Sequence, residues 1–152
     1  MRRAAAAAIA LSIAAGGCAM QDDGLIALSP AEAGDAYRTS MCRLLPTDGV
    51  LDAALTSGDA DAILEAARTR GRLLSSRNVT VSEQHSWPTG ADVWAVDQAL
   101  ADELEWVLEV ANAPSPAAAG ALPRPAPDRL ADADAEVRAA LELPADDAEL
   151  CG

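Results

Sequence analysis

The chain of 152 residues contains no lysine and no phenylalanine, and it has only one histidine and three cysteines. All 11 basic residues are therefore arginines, which stand against 24 acidic residues, and the formal net charge at pH 7 is −13. This charge argues against nucleic acid as a partner, because the phosphate backbone binds basic surfaces. It argues equally against electrostatic adhesion to an anionic membrane leaflet.

Aromatic residues make up only 3% of the chain. A sequence poor in aromatics and rich in alanine and leucine favours helices with closely packed backbones over a β-sandwich. Its length suits a single domain. We therefore expect an all-α fold, specifically an up-and-down bundle of four main helices plus one short helix.

The first 18 residues have the three parts of a secretory signal peptide. Two arginines give a charged start, an uncharged run follows, and small residues lead directly into Cys18. The uncharged run is too short to span a bilayer comfortably as a permanent helix. The end of this stretch resembles the lipobox of bacterial lipoproteins, with Ala15 where that family usually has leucine.

This resemblance implies that residues 1–17 are removed and that Cys18 carries palmitate-type acyl chains. Two or more chains are enough for a stable membrane anchor. The alternative is an ordinary signal peptide cleaved after Ala15 or Ala19. Under the lipobox interpretation we expect a protein exported to the cell envelope, where the lipid holds it on the extracytoplasmic face of the membrane.

The three cysteines fit this interpretation. An odd count leaves one thiol over in an exported protein, and lipidation would use the thiol of Cys18. Cys42 and Cys151 then remain as a pair in an oxidising compartment, where we expect them to form a disulfide. Such a bridge closes a loop of about 110 residues, for which the loop-entropy model gives on the order of 4–5 kcal/mol.

After a tether at residues 18–28, the helical domain is expected at residues 29–152. Ser29 and Glu32 form a capping box with proline at the first helical position. Pro46 is expected to end this helix, and a short helix should follow up to Gly58. The first helix has a predicted buried stripe of Tyr37, Met41, Leu44 and Leu45.

Asp59 is expected to cap the next helix, in which Gly71 would allow close approach of a neighbour. Four arginines lie on or just after this helix. They indicate either a small anion site or, as we favour, ion pairs with acidic neighbours. These arginines are Arg68, Arg70, Arg72 and Arg77.

Residues 78–88 carry mixed helix and loop signals and remain undecided. The longest amphipathic pattern follows over residues 90–112, where Trp94, Ala101 and Leu108 widen the predicted buried face. Trp106 and Val110 lie off this face. They are expected to contact a later helix or, as the alternative, to form an exposed apolar patch.

A Pro/Ala-rich loop is expected at residues 113–127, with a helical turn or more after residue 116. A last helix should begin at Asp128, bury its face of Leu130, Ala133, Val137, Ala140 and Leu141, and end at Leu143-Pro144. The tail would then bring Cys151 to Cys42, on the outside of the first helix.

No motif for a nucleophile, a metal ligand set or a phosphate loop is present. We therefore expect no enzyme activity, no cofactor and no metal. The acidic residues of the tail are expected to be a solvated surface rather than a calcium site. Trp87-Pro88 before an acidic helix and Leu143-Pro144 before Cys151 resemble small uncharacterised bacterial lipoproteins of high-GC genomes, a family that implies no particular activity.

Two functions remain open. The first is a non-enzymatic module that binds another envelope protein through an exposed patch at Trp87, Trp106 and Val110. The second is a carrier of a small apolar ligand, which would lie between the helices in an enclosed cavity. That cavity would be lined by Tyr37, Trp94 and Leu100.

Overall fold

The computed structural model describes residues 26–76 and 85–152. It confirms the all-α bundle with four main helices. The predicted signal peptide, Cys18 and most of the tether lie outside the described residues, as do residues 77–84. The helices are α1 Pro30–Ser57, α2 Ala60–Ser76, α3 Val93–Ala111, α4 Pro116–Gly120, α5 Pro127–Ala140 and α6 Asp147–Cys151.

A two-residue parallel pair ties the end of the tether to the body. Strand β1, Ile26–Ala27, pairs with strand β2, His85–Ser86. The backbone N–H of Leu28 then donates to the Ser86 carbonyl at 3.0 Å, and the half-buried Leu28 side chain packs on the core. The tether is therefore fixed to the domain before α1 begins.

The predicted capping box at the start of α1 is confirmed. The Ser29 hydroxyl accepts from the backbone N–H of Glu32, and the Glu32 carboxylate accepts from the backbone N–H of Ser29 at 2.9 Å. These contacts satisfy donors that have no partner within the helix.

Pro46 does not end α1, and that prediction was wrong. The helix continues to Ser57 and absorbs the predicted short helix. Close to the proline, the carbonyl of Leu44 accepts from the hydroxyl of Thr47 at 2.7 Å and from Nη1 of Arg70 at 3.1 Å. The carbonyl that loses its helical donor to the proline is that of Cys42, four residues earlier, so these bonds fix the helix beside the proline but do not replace the missing bond.

α1 ends where the sequence places its stop. Gly58 adopts the left-handed conformation with φ of 69°, which glycine tolerates without steric cost. The Asp59 carboxylate then accepts from the N–H groups of Asp61 and Ala62 at 2.9 and 3.0 Å. The chain therefore reverses within two residues, and α2 packs against α1.

α2 packs on its other side against α3. Gly71 is buried at this contact, as predicted, and a Cβ built there would lie 3.5 Å from Cγ1 of Val107. That distance is ordinary van der Waals contact, so the approach does not exclude a methyl group.

α3 begins at Val93, where Asp92 accepts from the N–H of Ala95 at 3.3 Å. α3 buries the stripe of Val93, Val96, Leu100 and Val107, but the predicted widening of this face was wrong, because Trp94 is 60% and Leu108 is 50% exposed and Ala101 is also exposed. A second stripe of α3 is buried instead. It consists of Ala99, Glu103, Trp106 and Val110.

The Pro/Ala-rich connection contains α4, which Ser115 caps through its hydroxyl. α5 packs on α3 and ends at Ala140, earlier than predicted. Ala140 is exposed, whereas Arg138, at 4% exposure, lies on the buried side. The sequence pattern missed this arginine because charged residues are rarely buried unless paired.

Candidate functional site

The predicted lipidation site, Cys18, lies outside the described residues. No helix in the ranges 26–76 and 85–152 is both long and apolar enough to cross a membrane. In the sequence, the described residue that comes first after Cys18 is Ile26, eight residues later, where β1 begins.

The predicted disulfide is present. Cys42 and Cys151 are bonded, with their Cα atoms 5.4 Å apart across a sequence separation of 109 residues. The tail wraps round the outside of α1, as expected, and α6 packs on that helix. Leu150 is only 2% exposed beside the bridge, so the C-terminal helix is held by packing as well as by the covalent bond.

The predicted interaction patch does not exist as a surface. Trp106 is 5% and Val110 is 2% exposed, and the half-buried Trp87 packs on the core. The guanidinium of Arg124 lies 5.0 Å from the centroid of the Trp106 ring, a cation–π contact. The prediction that both residues of α3 pack against later parts of the chain is therefore correct for Trp106, and Val110 is buried beside α4.

The cavity predicted for a carrier is not formed by its predicted residues. Tyr37 and Leu100 are part of the filled core, while Trp94 points into solvent. The hydroxyl of Tyr37 donates to Oδ1 of Asp134 at 2.6 Å. The three residues therefore do not line a common space.

A groove lies instead between α1 and α5, with α3 as its floor. Its volume is about 730 Å³, and it is partly open to solvent rather than enclosed. α1 and α5 make few direct contacts, although the Tyr37 hydroxyl reaches Asp134 across the gap, and this leaves the groove between them. Its apolar lining includes Met41, Leu45, Ala99, Pro125, Leu130 and Leu143.

A buried ion pair lies beneath this groove. Nε and Nη2 of Arg70 donate to Oε1 of Glu103 at 2.9 and 2.8 Å, and both side chains are less than a tenth exposed. Oε2 of Glu103 has no hydrogen-bond partner among the described residues. We predicted that the arginines of α2 form ion pairs with acidic neighbours, and this prediction is correct for Arg70.

Arg124 extends this cluster to the rim of the groove. It donates to the carboxylates of Asp48 and Asp52 and, at 3.2 Å, to Oε1 of Glu103. Burial alone would lower the pKa of the Arg124 guanidinium, but its hydrogen bond to Asp48 and the charges of the three carboxylates raise it above its ordinary value. The arginine therefore stays charged and cross-links α1, α3 and the connection before α5.

A second cluster closes the other end of the groove. Nη2 of Arg138 lies 2.7 Å from Oδ2 of Asp134 and 2.7 Å from Oδ1 of Asp147. Burial would lower the pKa of Arg138, yet the hydrogen bonds to these two carboxylates raise it above its ordinary value. Arg138 also donates to the Ala145 carbonyl at 3.1 Å, so it attaches the C-terminal tail to α5.

Of the other charged residues considered above, those that the structure describes lie on the surface or cap a helix. Arg72 lies 4.0 Å from Glu65 on the exposed side of α2, and Arg77 is outside the described residues. Asp146 caps α6 through the N–H groups of Ala148 and Glu149. Nowhere in the described part of the chain do three or more histidine, cysteine or carboxylate side chains gather as a metal site requires.

The site therefore combines an apolar groove with carboxylates that arginines already neutralise. Such an arrangement can bind an apolar group. Comparison with protein-family models, with curated proteins and with solved structures found no match.

Proposed function

We propose that this protein is a lipid-anchored, extracytoplasmic binding module of the cell envelope, held in the membrane through Cys18 and acting on another envelope protein without catalysis. The lipobox-like sequence supplies the anchor. The disulfide-closed helical bundle supplies the body, and the groove between α1 and α5 supplies the binding surface.

The Cys42–Cys151 disulfide carries this proposal. Structural disulfides persist in oxidising compartments such as the envelope. Two of the three cysteines are bonded to each other, which leaves Cys18 as the thiol available for acylation. The acidic charge of the chain supports an anchor made of lipid, since a net charge of −13 argues against electrostatic attraction to anionic headgroups.

Membrane fractionation tests the anchor. The Cys18→Ser variant should move from the membrane fraction to the soluble fraction, whereas a matched Ala19→Ser variant should remain in the membrane fraction. Ala15→Leu, which restores the residue usual in lipoboxes, should process at least as completely as the unchanged chain. Membrane retention of Cys18→Ser equal to that of Ala19→Ser would refute the lipid anchor.

The groove is the best surface for a partner because it presents apolar side chains beside fixed charges. Its two arginines, Arg124 and Arg138, are both paired, and the surrounding chain is strongly acidic. An apolar partner segment with flanking basic residues therefore fits the groove, with the positive charges attracted to the acidic surface.

Affinity capture from the protein's own envelope tests this surface. Leu130→Asp places a charge in the groove, and Val50→Asp places the same charge at a 59% exposed position outside it. The proposal requires that Leu130→Asp loses the captured partner while Val50→Asp keeps it. Equal capture by both variants would assign the partner to another surface.

A second candidate function, a carrier of a small apolar ligand, is favoured by the size of the groove. A volume of about 730 Å³ lies within the range of small-molecule sites. The neutral fluorescent probe N-phenylnaphthylamine distinguishes this candidate. Saturable binding that Leu130→Asp removes and Val50→Asp retains would support a carrier, and no saturable binding would exclude the carrier.

A further inference from the structure

Trp94 is the most exposed large apolar side chain of the described residues, at 60%. It lies in the first turn of α3, on the side away from the groove floor. An isolated exposed apolar residue usually needs no explanation. The position of Trp94 relative to the tether, however, suggests a reason for its exposure.

Trp94 lies at the end of the bundle from which the tether leaves. β1 pairs with β2, and β2 precedes α3 by only a short turn. At this same end, a Cβ built on Gly90 would lie 3.9 Å from Cβ of Ala140, and one built on Gly34 would lie 3.4 Å from Cδ2 of Leu143. The start of α1 and the turn before α3 therefore lie close to the end of α5 and the residues that follow it, beside the tether.

Two uncharged stretches lie at this end of the bundle. Residues 25–31 and 86–91 contain no acidic or basic residue, and within them Pro30, Ala31, Thr89 and Gly90 are exposed. Each stretch is followed directly by an exposed acidic residue, Glu32 or Asp92. An exposed indole beside these uncharged residues fits the membrane–water interface, where tryptophan is enriched and where the two carboxylates stay hydrated.

We propose that Trp94 inserts into the headgroup region of the membrane that holds the lipid anchor, and so orients the domain with this end towards the bilayer. This inference rests on the proposed anchor at Cys18. The eight residues from Cys18 to Ile26 reach at most about 26–29 Å when extended, so this end of the bundle stays within reach of the surface. One side chain orients the domain, while the acyl chains hold it.

The orientation also fits the groove. The groove runs along α1, α3 and α5 away from the tethered end, and its far rim is at Arg124 and Asp48. With Trp94 in the interface, this rim faces the aqueous space of the envelope. A protein partner can then reach the groove without crossing the headgroups.

Fluorescence quenching by brominated lipids tests the orientation. The proposed mature chain, which begins at Cys18, is coupled through the Cys18 thiol, the one outside the disulfide, to a maleimide-headgroup lipid in phosphatidylcholine vesicles whose acyl chains are brominated near the headgroup. Trp87 and Trp106 stay in every protein, so the difference between the unchanged chain and Trp94→Gln isolates Trp94. A Trp94→Gln/Leu108→Trp variant moves the indole 14 residues along α3, about 21 Å.

Bromine-dependent quenching, with emission shifted to shorter wavelength, is expected for the unchanged chain and should be lost in both variants. Quenching of the same size in the unchanged chain and in Trp94→Gln would overturn the inference, and so would a moved indole that is quenched as strongly as Trp94. The coupling supplies a lipid whether or not the cell does. Failure of the proposed anchor would therefore appear separately, as an unmodified Cys18 in the native protein.

Discussion

Glu103 receives two hydrogen bonds from Arg70, both at the same carboxylate oxygen and both shorter than 3 Å. The two side chains lie 33 residues apart in sequence and join α2 to α3 inside the bundle. Both are nearly fully buried, so neither charge can be solvated by bulk water if its partner is lost.

Removing one partner of this pair should therefore destabilise the fold strongly. We expect Glu103→Gln to lower the free energy of unfolding by about 3–5 kcal/mol, as for other buried pairs that lose one charge. The double variant Arg70→Met/Glu103→Leu should lose less stability than the sum of the losses in the single variants Arg70→Met and Glu103→Leu. Urea denaturation of the unchanged chain, these two single variants and the double variant measures the coupling.

The exposed pair Arg38–Asp35 is the matched control. Its side chains are 45% and 76% exposed, and Asp35→Asn should cost less than about 1 kcal/mol. If Glu103→Gln and Asp35→Asn have the same effect, the buried pair is not a structural element of the bundle.

Gly71 offers a stabilising substitution. It lies inside α2, where glycine costs about 0.5–1 kcal/mol relative to alanine, and the added Cβ would only touch Val107. Gly71→Ala should therefore raise the free energy of unfolding by about that amount. Thermal and urea unfolding measure the change.

Gly58→Ala is the opposite case. An added Cβ would have no atom within 4 Å, but the backbone φ of Gly58 is 69°. That variant should be less stable, because alanine is strained in the left-handed region. A destabilised Gly71→Ala would mean that α2 and α3 pack more tightly than the distances indicate.

The capping box predicts a pH dependence at Glu32. The hydrogen bond from the Ser29 hydroxyl, followed by the one from the Ser29 backbone N–H, holds the pKa of Glu32 below its ordinary 4.5. A carboxyl whose pKa falls on folding stabilises the folded state above the pKa of the unfolded chain. That contribution is lost as pH falls through the folded-state pKa.

Glu32→Gln keeps the capping geometry but cannot ionise. The stability difference between the unchanged chain and Glu32→Gln should be constant near neutral pH and should shrink on acidification below about 4.5. Unfolding curves recorded from pH 2 to 7 measure it. A difference that is independent of pH would show that the carboxylate charge plays no part in the cap.

The disulfide is expected to supply a large share of the stability. In Cys42→Ala/Cys151→Ala, the free energy of unfolding should fall by on the order of 4–5 kcal/mol, the value that the loop-entropy model gives for a loop of this size. Hydrogen exchange should show the loss first in α6, which the bridge attaches to α1. Slow exchange in α6 that survives removal of both sulfurs would show that Leu150 and Arg138 hold the tail without the bridge.

The sequence predicted the parts of this fold that depend on local chemistry. Capping residues and the glycine stop gave the first helix boundary and the first reversal correctly. The cysteine count predicted the disulfide, because only two cysteines remain once Cys18 is set aside. These features depend on a few neighbouring residues or on the compartment, and both can be read without the tertiary structure.

The errors came from interactions between distant residues. Beside Pro46, Arg70 from 24 residues later binds the Leu44 carbonyl, a contact that no local pattern reports. Glu103 is buried because two arginines from other segments neutralise it. The groove depends on how few contacts α1 and α5 make with each other, and the sequence of neither helix indicates this.

Intact mass spectrometry of the native protein, purified from its own membrane, determines whether Cys18 is the lipidated first residue of the mature chain. We expect a mature chain that begins at Cys18, carries diacylglyceryl and acyl groups on that residue, and has two fewer hydrogens from the Cys42–Cys151 bond. A mature chain that begins at another residue, or one whose Cys18 carries no lipid, would contradict it.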